Sequence, residues 1–168
     1  MHIREETSAD IDAISAVTRA AFAGVEHSNQ TEAFIVLALR RRGRLRVSLV
    51  AEQAGQLLGH VAVSPVTLSD GSLDWYGLGP ISVLPAHQGR GIGTALMHAA
   101  IAQLEEIGAC GCVLLGEPGY YSRLGFRCFP QLQLPGVPAE YFMALALGGS
   151  IPTAVVAYDE AFDAVADV

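Results

Sequence analysis

Three glycines at alternate positions, Gly89, Gly91 and Gly93, stand where a short apolar run gives way to an amphipathic stretch. The run Ile81–Leu84 is stopped by Pro85, the turn Ala86-His87-Gln88 follows, and a helical pattern runs from Gly91 to about Ile107. This predicts a strand, a tight turn and a bare helix N-terminus. Such a terminus has backbone N–H groups without intrahelical acceptors and the positive end of the helix dipole, and glycine lets an anion reach the main chain. The chemistry on offer is phosphate binding, with a flexible loop before a helix as the plainer reading of the same residues. No Lys-Ser or Lys-Thr follows the glycines, so the nucleotide P-loop lacks its charged parts, and the Gly-x-Gly-x-x-Gly spacing of a dinucleotide fold is absent.

A second group with chemical capacity is Tyr120-Tyr121, behind Gly116-Glu117-Pro118. A phenol titrates near 10, so it holds its proton at neutral pH and can lend it to a neighbouring group. Neighbours on a short helix point about 100° apart, so one ring can face a ligand while the other packs. A third group is the polar break Gly24–Gln30, which holds Glu26, His27 and Asn29 and otherwise reads as a solvated loop. Cys110, Cys112 and Cys128 have no metal-ligand spacing and read as reduced small hydrophobes.

The elements that would position these groups follow in order. His2–Thr7 reads as a strand, and Thr7 with Asp10 forms a capping box for a helix to about Phe22, with Ile11, Ile14, Val17 and Ala21 on one stripe. A second helix covers roughly Thr31–Arg42, and its terminal arginines suit the negative end of the dipole. Arg46–Glu52 and Leu57–Val66 form a hairpin about Ala54-Gly55. Leu73–Leu84 is a long strand that Gly77, Gly79 and Pro80 should break or bulge near Pro80. The helix after the glycines buries Ile92, Leu96, Ala99, Ala100, Gln103, Leu104 and Ile107 and ends at Gly108. Cys112–Leu115 is a buried strand, Gly119–Leu124 a short helix closed by Gly125, and Phe126–Phe129 the start of another strand. A Pro- and Gly-rich arm, the segment Tyr141–Ala146, and a tail of Ala154–Tyr158 and then Asp159–Phe162, ending in a short helical piece, complete the chain.

Gln88, Gly91 and Gly93 resemble the coenzyme A loop of the GNAT superfamily of N-acyltransferases, written Gln or Arg, two residues, Gly, one residue, Gly or Ala. Leu78-Gly79-Pro80-Ile81-Ser82-Val83-Leu84-Pro85 and Gly119–Phe126 are similar to that superfamily's fourth strand and late helix, in the same order. The resemblance implies a mixed α/β GNAT fold. Its central twisted sheet is mostly antiparallel, splayed between the fourth and fifth strands and flanked by about four helices. It implies acetyl-CoA as cosubstrate and a primary amine attacking directly in a ternary complex. Main chain from Gln88 through Gly89, Arg90, Gly91, Ile92, Gly93 and Thr94 would cradle the diphosphate. Ile81, Ser82 and Val83 would pair with the pantetheine arm, amides near Val83 would polarise the thioester, and Tyr121 matches the tyrosine that acts as general acid in many members. Glu26, His27 and Asn29 would border the acceptor. For the base, a water relay is expected first and His27 next, since Asp74 lies away from the splay. The rival readings are a catalytically idle acyl-CoA sensor and, disfavoured by the missing lysine, a nucleotide-binding protein. Members often dimerise through late strands, so a homodimer is open, and no metal is implied.

At 168 residues the chain is read as one domain, 1–168, long enough for a substantial core. A hydrophobic share of 51% excludes disorder, and a formal charge of −7 disfavours a nucleic-acid partner. The longest apolar run, Ala33–Leu39, is too short for a membrane span, and Arg4, Glu5, Glu6 and Asp10 are unlike a signal peptide, so the expectation is a cytoplasmic protein.

Overall fold

The computed structural model describes residues 1–166. They fall into two compact units: Met1–Ser64 with Gly79–Gln103 and the segment from Glu160, and Pro65–Leu78 with Leu104–Asp159. The elements are mixed α/β, with four α-helices and mainly antiparallel strand pairs, as the sequence predicts.

In the first unit β1 (His2–Glu5) pairs antiparallel with β2 (Val47–Gln53), and β2 with β3 (Gln56–Pro65). The β2–β3 turn is tight because Ala54 and Gly55 both take positive φ, 52° and 78°, as a two-residue hairpin loop requires. Thr7 N–H donates to Asp10 Oδ2 at 2.7 Å, completing the expected capping contact before α1 (Ile11–Phe22). Arg4 also donates to Asp10, at 2.8 Å, and holds that carboxyl below the ordinary range. With α2 (Glu32–Arg41), α1 lays Ile14, Val17 and Val36 on Val50 and Ala62 of the strands. Ile35 and Leu39 of α2 pack with Ala161 of the closing 3-10 turn, Glu160–Asp163.

The residues 81–83 belong to β5 (Trp75–Val83), one strand throughout, so of the break or bulge that the sequence predicts near Pro80 the break is absent. The Gly79-Pro80 peptide is cis, and Gly79 takes a φ of 136°. Leu84 N–H donates to Leu58 O at 2.9 Å, tying the end of β5 to β3. Helix α3 (Ile92–Glu106) follows, with Ile92, Leu96, Met97, Ala100 and Leu104 buried. Ile107 is 37% exposed and not on the buried face, because the helix has already ended.

In the second unit the start of β5 pairs parallel with β6 (Gly111–Leu115), only at Trp75–Gly77 against Gly111–Val113. Strand β6 pairs antiparallel with β8 (Phe142–Ala146). Helix α4 (Pro118–Tyr121) starts with proline in its first turn, runs into a 3-10 turn at Ser122–Leu124, and ends at Gly125 with a φ of 95°. The predicted strand at Phe126–Phe129 reduces to one antiparallel bridge, Arg127 with Ala144, since Pro130 has no N–H to extend a ladder. Three short strands, β4 (Thr67–Leu68), β7 (Leu132–Gln133) and β9 (Ala154–Ala157), form a separate ladder with β9 in the middle. Trp75, Val113, Leu132, Phe142 and Val156 lie in this unit's core. Among the described residues no helix is long and apolar enough to cross a membrane.

Candidate active site

The cradle residues lie in the first unit, between β5 and α3. A 3-10 turn, Pro85–His87, leads away from the strand, and Gln88 Nε2 donates to Val83 O at 3.0 Å, tying the loop back to the strand end. The motif glutamine is thus a brace for the turn. Gly89 and Gly91 take φ of 78° and 83°, a conformation that side chains disfavour, and a Cβ on either would meet nothing within 4 Å. Ala95 N–H donates to Gly91 O at 3.0 Å in the first turn of α3.

Gly93 is different. Its φ is ordinary, and an added Cβ would find only Val83 Cγ2, at a comfortable 3.8 Å. Nothing within the protein requires a glycine there, although glycine in a helix costs up to about 1 kcal/mol relative to alanine. The bare carbon leaves room for a group from outside. Gln88, Gly89, Arg90 and Gly91 are exposed, Gly93 and Thr94 are half-buried, and the Ile92 side chain is core, so Ile92 offers only its main chain. Ile81 and Val83 are half-buried, while Ser82 is 2% exposed.

Tyr121 lies in the second unit. Its ring lies over the α-carbon of Gly116, where a Cβ would come within 2.2 Å of Tyr121 Cε2. It stacks on Tyr120 at 4.8 Å between centroids and meets Phe126 edge-on at 6.3 Å. The expectation that one ring turns outward while the other packs is therefore replaced by a stacked pair. Burial, reinforced by Tyr120, raises the Tyr121 phenol above its usual range, so the proton-donating form is present at neutral pH.

A profile of the acetyltransferase (GNAT) domain matches residues 44–128. The uncharacterized N-acetyltransferase YhbS of Escherichia coli K12 is 37% identical over 128 residues, which is 76% of this chain and 74% of YhbS. The chain belongs to the GNAT acetyltransferase family. A GNAT family acetyltransferase from Brucella melitensis, solved in complex with acetyl-CoA, is 51% identical. It superposes with a TM-score of 0.87 over 96% of this chain and 97% of that one. The crystal structure of E. coli YhbS in complex with CoA gives the same score at 32% identity, over 96% and 91%.

In this GNAT chain the link between α1 and α2 leaves Glu26, His27 and Asn29 exposed. The link is shaped by residues the sequence reading passed over. Gln30, at a φ of 61°, donates from Nε2 to Phe22 O at 2.7 Å, and Ser28 Oγ lies 2.8 Å from both Glu32 carboxylate oxygens. Among the described residues no cluster of three or more His, Cys, Asp or Glu could hold a metal.

A polar network inside the first unit was also missed. Arg40 donates to Glu6 from Nε at 2.8 Å and Nη2 at 2.9 Å, Ser48 Oγ donates to Glu6 Oε1, and His60 Nε2 lies 2.8 Å from Ser48 Oγ. Burial opposes ionisation of Glu6, but the bonds from Arg40 and Ser48 outweigh it and hold the carboxyl below its ordinary range. His60 is fully buried, and burial, with Arg40 adding to it and Glu6 opposing, pushes its pKa down to about 4. The only sequence signal was one histidine inside the apolar run of β3.

Proposed function

We propose that this chain, acting as one GNAT domain, transfers an acetyl group from acetyl-CoA to a primary amine by direct attack in a ternary complex. The observation that carries the reading is the helix start at 88–94: two glycines held at positive φ, an open approach, and a third glycine at position 93 that no protein contact explains. A diphosphate suits that start, where the dipole and the main-chain amides both favour negative charge. Ile81, Ser82 and Val83 lie beyond the part of β5 that pairs with β6, and their main chain would run along the pantetheine arm in the manner of a ligand added to a strand edge.

The reaction needs a neutral amine, a polarised carbonyl and a proton for the departing thiolate. Amides near Val83 would polarise the carbonyl. The Tyr121 phenol, kept protonated by burial, would supply the proton. Glu26, His27 and Asn29, exposed on the α1–α2 link, are proposed to meet the acceptor.

Calorimetric titration with acetyl-CoA and a thiol-release assay across an amine panel test the reading together. Binding in the micromolar range and CoA release with at least one amine are expected. Tyr121→Phe should lower kcat by about a hundredfold or more, a usual range for loss of a general acid, and leave CoA affinity within about twofold. Binding without release in the unsubstituted enzyme would identify an acyl-CoA sensor, and no binding would remove the assignment altogether.

A further inference from the structure

The Pro- and Gly-rich arm that leads from Cys128 to Phe142 encloses space that the sheet does not fill. Pro130, Pro135 and Pro138 have no N–H to give a neighbouring strand, and Gly136 turns at a φ of 86°, so most of the arm stands off as a loop. It is pinned at its ends and its middle: Cys128 Sγ donates to Glu140 O at 3.2 Å, and Leu132–Gln133 pairs with Ala154–Val155 of β9. Within the arm lies a cavity of about 610 Å³, the size of a small-molecule pocket. Leu132 and Phe142, which line it, belong to the core of the second unit, and Phe129, Leu134 and Val137 pack against that core as further walls.

Among the described residues Glu140 is the only charged side chain that lines the cavity, and it is exposed. A carboxylate beside apolar walls suits a ligand with an apolar body and a cationic head, whereas a plain hydrocarbon chain would offer that charge nothing. The place is close to Tyr121, in the same unit. Gly116 N–H donates at 3.0 Å to the carbonyl of Tyr141, the residue after Glu140, and the Tyr121 ring lies over the Gly116 α-carbon. One step along the chain and one across the strands put the Glu140 α-carbon within roughly 10 Å of that α-carbon.

We infer that this cavity is the acceptor pocket and that it selects an apolar primary amine, an aryl-alkyl or medium-chain alkyl amine, whose body lies against Phe129, Leu132, Leu134 and Phe142 while Glu140 holds its ammonium head. This rests on the acetyltransferase reading above, which requires a primary amine and takes its proton donor from Tyr121. A small polar amine gains nothing from the walls, and a polyamine would set further charges against them. Holding the ammonium favours its charged form, so Glu140 contributes affinity for the acceptor and not the step that frees its lone pair.

Cys128 allows a test that does not depend on turnover. It lines the cavity and is the exposed cysteine, Cys110 being half-buried and Cys112 buried. In the whole chain, free or saturated with CoA, phenethylamine should slow alkylation of Cys128 by iodoacetamide at least about fivefold, read by peptide mass spectrometry, and ethanolamine or phenylpropionate at the same concentration should not. In the CoA-release assay phenethylamine should have a KM about ten- to a hundredfold below that of ethanolamine. Glu140→Gln should raise the phenethylamine KM about three- to tenfold and remove most of the protection. No protection, equal protection by phenylpropionate, or protection only by a long-chain acyl-CoA overturns the pocket assignment while acetyl transfer stands. Protection by phenethylamine with no CoA release from any amine overturns the acetyltransferase reading and leaves a bound amine that is not an acceptor.

Discussion

Gly59 offers a direct measure of how tightly the cradle helix is seated. A Cβ there would lie 2.9 Å from the carbonyl oxygen of Ser82, 3.0 Å from Leu96 Cδ1 and 3.3 Å from Ile92 Cγ2. The carbonyl is main chain and cannot swing aside, so Gly59→Ala must push β3 from β5 and lift the first turn of α3. Overpacking of this kind costs about 1–3 kcal/mol. For a chain of this size each kcal/mol moves Tm by roughly 2–4 °C, so a fall of roughly 2–12 °C is expected. Because the displaced turn is the one proposed to hold the diphosphate, CoA should bind about tenfold more weakly, a loss of roughly 1.4 kcal/mol. Gly119→Ala, in α4 where a Cβ meets nothing within 4 Å, is the control and should not destabilise, gaining at most the helix-propensity difference of about 1 kcal/mol. Thermal melts with and without CoA, beside calorimetric titration, read both quantities. A Gly59→Ala protein that melts within about 1 °C of the parent and binds CoA equally well would refute the packing argument.

Gly116→Ala would set a methyl against the Tyr121 ring, so kcat should fall toward the Tyr121→Phe value while CoA affinity is kept; unchanged turnover would show that the ring position is immaterial. Acid should destabilise the fold before the carboxylates titrate. His60 has a pKa of about 4 folded against an ordinary 6.5, so the unfolded chain alone binds the proton between those values, and stability present above about 6.5 is lost as pH falls toward 4. At about 1.4 kcal/mol for each pH unit of that window the loss is about 3 kcal/mol, read by urea unfolding from pH 7.5 to pH 4; His60→Gln should flatten the slope, and an equal slope in the variant would rule out His60 as its source.

The parts of the fold legible in the sequence are those fixed by local chemistry. The Ala54-Gly55 hairpin, the Thr7–Asp10 capping contact, the strand–turn–helix around the glycines and the stop at Gly125 depend on residues within a few positions of one another. The arm was not legible, because β4 and β7 have two residues each, too few to show a period, and exist only through pairing with β9 from far along the chain. The histidine network failed for the same reason. By sequence Arg40 reads as an ending for a helix dipole, which its place in the last turn of α2 supports, yet its partner is Glu6, 34 positions away.

The glycines separate packing from binding. Gly59, Gly77, Gly111 and Gly116 have neighbours that a Cβ would strike, and Gly89, Gly91 and Gly125 have a φ that demands glycine, so the fold accounts for them. Gly93 has neither reason. Gly93→Ala should therefore stabilise the free protein, by up to about 1 kcal/mol of helix propensity, while weakening CoA because the new methyl enters the approach to the amides. A residue kept only for folding would lose stability and affinity together, and a neutral loop glycine would lose neither. Higher Tm with at least about tenfold weaker CoA binding is the outcome that only an external ligand at this helix start explains; undiminished affinity would show that the coenzyme is held elsewhere.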